Sequence, residues 1–214
     1  MADDYLGRKM EEYRARTTSG KADSRPPATL SRLLLKNRSH RGYDARFIVR
    51  EDQLRRIIEV NTKIPSARNQ QVLRFRPVLA DEAAKVLPYI RLGGALPELH
   101  LPLTGTEPNA FVVICSTVEE SRNVDIDLGI SVQSMLLQAA EIGLNGICIG
   151  AFDKERIKQE LGLEIDPLLI LAIGKGIEKI ELAEIGAEQN HNYYRKDGTH
   201  YVPKVRLEEL IIKK

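Results

Sequence analysis

The sequence predicts an α+β fold, in which helices and buried strands follow one another without a regular repeat. Three observations carry this prediction. The run from Phe111 to Cys115 is wholly apolar, as expected for a strand buried on both faces. The segment from Asp127 to Ile142 is apolar around most of a helix, and Gly143 provides a stop. A further short apolar run covers Leu168 to Ile173.

Composition indicates a single globular domain. With 214 residues, 43% of them hydrophobic and 29% charged, the chain can bury a full core without metal or disulfide support. The net charge of +2 is too small to predict nucleic-acid binding. The start of the chain lacks the pattern of a secretory signal, and no apolar run is long enough to cross a bilayer. We therefore expect a cytoplasmic protein with neither a membrane nor a nucleic-acid partner.

The two cysteines, Cys115 and Cys148, each lie in an apolar run. They are predicted to be small buried side chains in a reducing compartment. The four histidines do not have the spacing of ligands on a helix face, so no metal site is predicted.

The N-terminal third begins with an arm. Residues 1–29 join a charged, helix-prone stretch to a linker, which predicts an arm ahead of a domain over residues 30–214. A short helix is predicted over Ser31 to Lys36. Glu51 to Thr62 carries an apolar stripe, which predicts a surface helix that cannot continue through Pro65.

The middle of the chain alternates between strand, loop and helix. The strand predicted over Arg74 to Ala80 contains Pro77, which favours an edge position. Residues 92–108 are rich in Gly, Pro and Thr and predict a long surface loop. The nearly all-apolar helix of residues 127–142 belongs either in the middle of the fold or at a subunit interface.

Shorter helices and strands are predicted in the C-terminal part of the chain. Gly146 to Ile149 reads as a buried strand, and Asp153 to Leu161 as a helix with Asp153 as N-cap and Gly162 as stop. After Gly174 the chain is predicted to be irregular until a strand over residues 201–206.

Two polar clusters carry the functional prediction. In the first, residues 37–44, Arg38 and Arg41 flank Ser39, and guanidinium groups beside a hydroxyl suit a phosphate. The second, residues 65–71, offers serine, asparagine and glutamine side chains that can hydrogen-bond the edge of a planar heterocycle. The alternatives are that the arginines are ordinary surface charges and that Asn69 only caps a turn.

Familiar catalytic motifs do not occur. Gly174-Lys175-Gly176 lacks the third glycine of a dinucleotide fingerprint, and the sequence contains neither a phosphate loop nor a nucleophile elbow. We therefore predict that a bound cofactor, rather than a side chain, supplies the reactivity.

The order of the motifs resembles the nitroreductase family, the FMN-dependent NAD(P)H oxidoreductases. Residues 37–41 are similar to the family's arginine-serine-arginine opening, and residues 65–71 to its proline-serine segment. Residues 127–136 resemble its central helix, and residues 148–152 resemble the turn whose backbone N–H faces the flavin N5. The closing basic segment of the family is matched by residues 202–207.

The resemblance covers about residues 31–214. It implies a nitroreductase-like α+β sandwich, whose central and mainly antiparallel sheet is flanked by helices. It also implies a homodimer that exchanges its C-terminal segment between subunits and holds FMN in a cleft between them. The cofactor-binding residues that it implies are Arg38, Ser39, Arg41, Pro65, Ser66, Asn69, Gln71, Ile149, Gly150, Lys204 and Arg206.

The implied activity is hydride transfer from NAD(P)H, the co-substrate, through flavin N5 to a small electron-poor acceptor by a ping-pong mechanism. Such an acceptor would be a nitroaromatic, a quinone or an enone. No catalytic residue is implied, because flavin N5 carries the chemistry. The alternative is a protein of the same fold that binds flavin without turnover, as a carrier or sensor.

Overall fold

The computed structural model describes residues 28–94 and 101–212. The predicted arm therefore lies outside the described residues except for its last two, and the predicted loop of residues 92–108 is described only in part. In the described part of the chain, no helix is long and apolar enough to cross a membrane.

A four-stranded antiparallel sheet forms the centre, with strand order β1-β2-β4-β3. Its strands are β1 (Leu73–Val78), β2 (Ala110–Ser116), β3 (Asn145–Ile149) and β4 (Pro167–Gly174). This confirms the predicted α+β class with a central antiparallel sheet.

The two inner strands are the predicted apolar runs. Every residue of β2 is buried, and Val113 lies opposite Ile170 of β4. A strand with neighbours on both sides and cover on both faces needs apolar side chains at every position, which explains the continuous run. β1 lies at an edge, as predicted from Pro77, whose missing N–H cannot support pairing on both sides.

Five helices accompany the sheet in the described residues: α1 (Leu30–Lys36), α2 (Glu51–Glu59), α3 (Arg122–Glu141), α4 (Lys154–Glu160) and α5 (Leu207–Leu210). Short 3-10 turns cover Val60–Thr62, Ala67–Asn69, Ala83–Lys85 and Leu87–Tyr89. The N-cap of α4 is Asp153, as predicted, and its carboxylate accepts a hydrogen bond from the backbone N–H of Arg156 at 3.0 Å.

The core lies on both faces of the sheet. Alternate residues of β2 point to opposite sides, so that Phe111 and Val113 join one cluster while Val112 and Ile114 join the other. The first cluster also contains Tyr43 and is completed by α4, and the second is covered by α2 and α3. Burying each large apolar side chain contributes about 1.5–3 kcal/mol.

Helix α3 begins earlier than predicted. It starts at Arg122, where Ser121 is the N-cap, rather than at Asp127. The first turn was missed because Arg122 to Asp125 is mostly polar. Met135 is fully buried in the second cluster, so this part of α3 belongs to the middle of the fold within one chain. Ile126 on the opposite side is half exposed.

A second sheet, with order β5-β7-β6, was not predicted as a sheet. It contains β5 (Lys179–Ile185), β6 (Tyr194–Lys196) and β7 (Thr199–Val205), with β5 parallel to β7. The prediction that the chain is irregular after Gly174 is therefore wrong for the residues of β5 and β6. These strands escaped prediction because their side chains are mostly exposed or half-buried, so their apolar pattern is weak.

The prediction that both cysteines are buried is wrong for Cys148. Cys115 is buried as expected, but Cys148 is exposed. Ile147 and Ile149 point into the first cluster, so Cys148 between them points to the other face. The strand β3 lies at the sheet edge, where that face is uncovered at Cys148.

Candidate functional site

The first polar cluster lies along the ends of β3 and β4. Ser39 forms a parallel bridge with Gly146, and Tyr43 an antiparallel bridge with Gly176. The His40 ring packs directly on Gly176, where a Cβ would lie 2.2 Å from His40 Nδ1, so only glycine permits this contact. The chain from Ser39 to Tyr43 is thereby fixed to the central sheet.

Arg38 and Ser39 form the accessible part of this cluster. The Ser39 side chain is exposed, and Arg38 is half-buried. Arg38 Nη2 donates to the Leu34 carbonyl at 2.5 Å, whereas its Nε is buried without a hydrogen-bond partner among the described residues. Burial lowers the pKa of Arg38. A guanidinium with an unused donor is suited to an anionic ligand.

Arg41 is placed differently, because its side chain is only 8% exposed. Its guanidinium carbon lies 4.6 Å from the centroid of the Tyr193 ring, a cation–π contact. Its Nη1 donates to the Ser39 carbonyl at 3.1 Å and lies 3.4 Å from His200 Nε2.

Glu178 completes the surroundings of Arg41. Its carboxylate accepts hydrogen bonds from the backbone N–H groups of Arg41 and Gly42 and forms an ion pair with Arg195. No motif in the sequence marks Glu178, which is 137 residues from Arg41. This cluster joins the second sheet to the first.

Two histidines are buried in the same cluster. The pKa of His40 is lowered by burial, which outweighs the opposing effect of Glu178. The pKa of His200 is lowered by burial and by Arg41. Both rings are therefore favoured in their neutral form.

The C-terminal basic residues lie at the far end of β7. Lys204 and Arg206 are exposed, and Arg206 Nη2 pairs with Glu209 at 2.7 Å. Its hydrogen bond to Glu209 raises the pKa of Arg206. His200, the neighbour of Arg41, precedes Arg206 by six residues of strand, which is about 20 Å. The structure thus does not bring Arg41 and Arg206 together within one chain.

The second polar cluster is a strained, exposed turn. Arg68, Asn69 and Gln71 have φ angles of 51°, 55° and 49°. This left-handed region costs residues other than glycine roughly 1–2 kcal/mol each. Strain of this kind persists where surrounding contacts enforce it, and it clusters at ligand sites.

Local hydrogen bonds shape this turn. Gln71 N donates to Ser66 Oγ at 3.2 Å, and Gln71 Nε2 lies 3.3 Å from Asn69 Oδ1. Arg74 Nη1 donates to the Gln71 carbonyl at 2.9 Å. The side chains of Asn69 and Gln71 both remain exposed. The turn therefore presents amide groups to solvent in a defined arrangement.

The two polar clusters contact different sides of α3. Asn37 Nδ2 donates to Gln133 Oε1 at 3.4 Å, whereas the backbone N–H of Ala67 donates to Asp127 Oδ1 at 2.7 Å. Six residues of helix separate Asp127 from Gln133, which is about 9 Å along the axis and about 120° around it. One chain therefore presents the clusters in different directions.

Gly150 follows the last residue of β3 and is exposed. A Cβ at Gly150 would meet only Leu169 Cδ1, at 3.9 Å, so the space in front of its backbone is open. Ile149 is buried in the first core cluster, and its side chain is directed away from solvent. A ligand at this point would meet backbone groups.

A cavity of about 910 Å³ lies between α2, β1 and α3. Three of the predicted site residues line it: Pro65, Ser66 and Gln71. Its volume suits a cofactor-sized ligand or a peptide segment. The other predicted residues lie elsewhere: Arg38, Ser39, Arg41, Asn69, Ile149, Gly150, Lys204 and Arg206.

Residues 34–175 match the model of the nitroreductase family. The chain belongs to the nitroreductase family. The match covers both polar clusters and Gly150, and it ends before Lys204 and Arg206. No match was found among curated protein sequences.

Solved structures of nitroreductase-family proteins share the fold. A family protein from Streptococcus pneumoniae TIGR4 is 17% identical, with a TM-score of 0.63, over 87% of this chain and 100% of that one. A nitroreductase from Exiguobacterium sibiricum in complex with FMN is 19% identical, with a TM-score of 0.59, over 72% and 91%. An FMN- and NADPH-dependent nitroreductase from Sphigopyxis sp. strain HMH is 19% identical, with a TM-score of 0.57, over 70% and 88%.

Proposed function

We propose that this nitroreductase-family protein is an FMN-dependent oxidoreductase that uses NAD(P)H to reduce a small electron-poor acceptor. The observation that carries the proposal is the turn of residues 66–71, where strained backbone holds exposed amide side chains. Strain of this kind clusters at ligand sites, and three strained residues in one exposed turn support a ligand here. Two of the solved structures of similar fold are described with FMN, which supports this choice of cofactor.

The donor groups on the chain fit FMN. Asn69, Gln71 and the Ser66 hydroxyl can pair with the polar edge of a flavin ring, and the exposed backbone at Gly150 can face N5. Arg38, Ser39, Lys204 and Arg206 supply cations and a hydroxyl for the phosphate. We assign Arg41 to holding Ser39 in place, because its guanidinium is stacked under Tyr193.

These donors point in different directions in one chain, so we propose that the site forms between two copies. The exposed apolar side chains of α1, at Leu30, Leu34 and Leu35, provide a surface for the second copy. Exposed Leu210, Ile211 and Ile212 at the end of the chain support exchange of the C-terminal segment. The cavity beside the edge strand β1 is the place we assign to that segment, since an open strand edge can accept a further strand.

Bound FMN would supply the redox chemistry, accepting hydride from NAD(P)H at N5 and delivering electrons to a nitroaromatic, quinone or enone. The role of the residues of this chain is to bind the cofactor and to orient it. We assign no acid, base or nucleophile among them to the reaction. Because both substrates must approach the same flavin face, we expect ping-pong kinetics with mutual competition between reductant and acceptor.

Spectroscopy separates this function from its rival, a flavin carrier or sensor without turnover. The purified protein, incubated with FMN, should show flavin absorption, and anaerobic NADH or NADPH should bleach it. Reoxidation by a quinone completes the test. Bound flavin that neither reductant bleaches would favour the rival. Intersecting double-reciprocal lines would refute the single shared cleft.

The phosphate assignment is tested with Arg206→Ala. Loss of one charge-assisted hydrogen bond should weaken FMN binding about tenfold to a hundredfold and leave riboflavin binding unchanged. The matched control is Lys196→Ala, which removes another exposed basic side chain of the second sheet. Equal affinity of the unaltered protein for FMN and riboflavin would rule out a phosphate site.

A further inference from the structure

Asp127 is the link between the strained turn and the rigid part of the fold. Its side chain is buried at 5% exposure in α3, and its Oδ1 accepts a hydrogen bond from the backbone N–H of Ala67 at 2.7 Å. A charged acceptor makes this bond stronger than a neutral one. Ala67 immediately precedes Arg68 and Asn69, the first two residues with positive φ.

The turn's own hydrogen bonds set its shape but not its position. Asn69 N donates to the Ser66 carbonyl, and Gln71 N donates to Ser66 Oγ, so these bonds begin and end within residues 66–71. The bond to Asp127 instead reaches a helix whose neighbouring residues Val132 and Met135 are packed in the core. It therefore fixes the N-terminal half of the turn to α3, whereas the bond from Arg74 of β1 to the Gln71 carbonyl holds the C-terminal end.

A second contact on the same helix face secures the preceding segment. Ser131 lies one turn after Asp127, and its hydroxyl donates to Asn61 Oδ1 at 2.5 Å. Asn61 in turn donates from Nδ2 to the Ile58 carbonyl at 2.8 Å. Thus Ser131 holds the end of the α2 segment, while Asp127 holds the turn.

The carboxylate of Asp127 has no basic partner that would explain its burial. None of the described residues forms an ion pair with it. A buried polar group needs a hydrogen-bond partner, and for Oδ1 of Asp127 that partner is the backbone N–H of Ala67.

We infer that Asp127 is a positioning residue of the cofactor site, holding Ser66, Asn69 and Gln71 in the arrangement that binds the flavin ring. This inference rests on the proposed function. Without Asp127 the turn would sample other conformations, and apparent affinity falls in proportion to the fraction of time spent in the binding conformation.

Hydrogen exchange of the protein without FMN tests the positioning directly. Asp127→Ala should speed exchange in a peptide covering residues 65–72 by at least about tenfold, because local opening exposes its amides. Asp127→Leu fills the space without an acceptor and gives the same test if the alanine variant fails to fold. Asp127→Asn keeps an oxygen acceptor and should stay within about threefold of the unaltered protein.

FMN titration of the same proteins tests the consequence for binding. Asp127→Ala or Asp127→Leu should weaken FMN binding about tenfold to a hundredfold, with rescue in Asp127→Asn. Asp125→Asn is the control for a change of charge, since Asp125 is exposed on the same helix. Ser131→Ala is the control for a lost buried contact and should leave FMN affinity within about twofold.

The outcomes distinguish the two claims. If the unaltered protein binds no FMN, the proposed function fails, and the role of Asp127 in a flavin site fails with it. If the unaltered protein binds FMN and the Ala and Leu variants keep both its affinity and its exchange pattern, the inference about Asp127 alone is overturned. Equal loss of affinity in Ser131→Ala would also overturn it, because general destabilisation would then suffice.

Discussion

The guanidinium of Arg41 lies 4.6 Å from the centroid of the Tyr193 ring, stacked inside the junction between the two sheets. Tyr193 precedes β6 of the second sheet, while the backbone of Arg41 follows the Ser39 bridge to β3. Arg41, which the sequence predicts as a phosphate ligand, therefore also connects the C-terminal sheet to the central sheet. Replacing Arg41 should therefore lower the stability of the fold more than replacing an exposed arginine does.

Replacing Arg41 should chiefly destabilise the fold. Arg41→Ala removes the contact with Tyr193 and the hydrogen bond to Ser39, at a cost of about 2–4 kcal/mol. Arg41→Lys should recover little, because an ammonium cannot reproduce the planar stacking. Urea unfolding measures the loss, with Arg46→Ala as control, since Arg46 pairs with Asp44 at the surface. Unchanged stability of Arg41→Ala would contradict this structural role.

Stability should also fall in mild acid. Burial lowers the pKa values of His40 and His200 in the folded protein, so the unfolded chain binds protons first as pH falls. By linkage, the two histidines contribute fully to stability above the pKa of an unfolded histidine, which is about 6.5. This contribution is lost as the pH falls below that value. Each neutral histidine adds a slope of at most about 1.4 kcal/mol per pH unit.

Urea unfolding between pH 5 and pH 8 (approximate limits set by the ordinary histidine value) checks this expectation. The double variant His40→Asn/His200→Asn should flatten the slope, whereas replacing exposed His191 by Asn should not. The charged groups that face these rings are Glu178, Arg41 and Arg195. A slope that persists in the double variant would assign the effect to other groups.

Thiol labelling should distinguish the two cysteines. Cys148 is exposed and Cys115 is buried, so a maleimide should modify the folded protein once, at Cys148. Peptide mass analysis locates the adduct, and Cys148→Ser is the control that should stay unmodified. Because Cys148 lies two residues before Gly150, bound FMN at the proposed site should slow the labelling. Modification of Cys115 at the same rate would contradict the exposure of these side chains.

The central sheet was predictable because its signals are local. Continuous burial of β2 requires apolar residues throughout, so the run from Phe111 to Cys115 indicates its strand directly. β5 gives no such signal, because all its residues are exposed or half-buried, without strict alternation, beside a single partner strand. The exposure of Cys148 likewise depends on which strand lies at the edge, and no local pattern carries that information.

The sequence predicted which residues could form the site, but not how the fold arranges them. Pro65 and Ser66 line the cavity between α2, β1 and α3, whereas Asn69, three residues further on, lies outside it. The separation of Asn37 from Ala67 around α3 depends on which helix face each segment meets. The partner of Arg41, Glu178, comes from a distant segment with no recognisable motif. Such relations arise from tertiary packing.

The last prediction concerns the C-terminal segment. Ile212 is 96% exposed and Ile211 is 58% exposed, an unfavourable position for adjacent apolar side chains unless a second copy covers them. Placing charges there with Ile211→Asp/Ile212→Asp should therefore disrupt a dimer. Burial of two isoleucines contributes about 3–6 kcal/mol, so the dissociation constant should rise at least about a hundredfold.

Analytical ultracentrifugation over a range of protein concentrations measures this change. Leu182→Asp, on the exposed face of β5, is the control and should leave the dimer intact. Because the proposed FMN site needs donors from two copies, the tail variant should lose FMN in parallel with dissociation. A stable monomer that still binds FMN would show that one chain builds the site, and the exchange of the C-terminal segment would have to be abandoned.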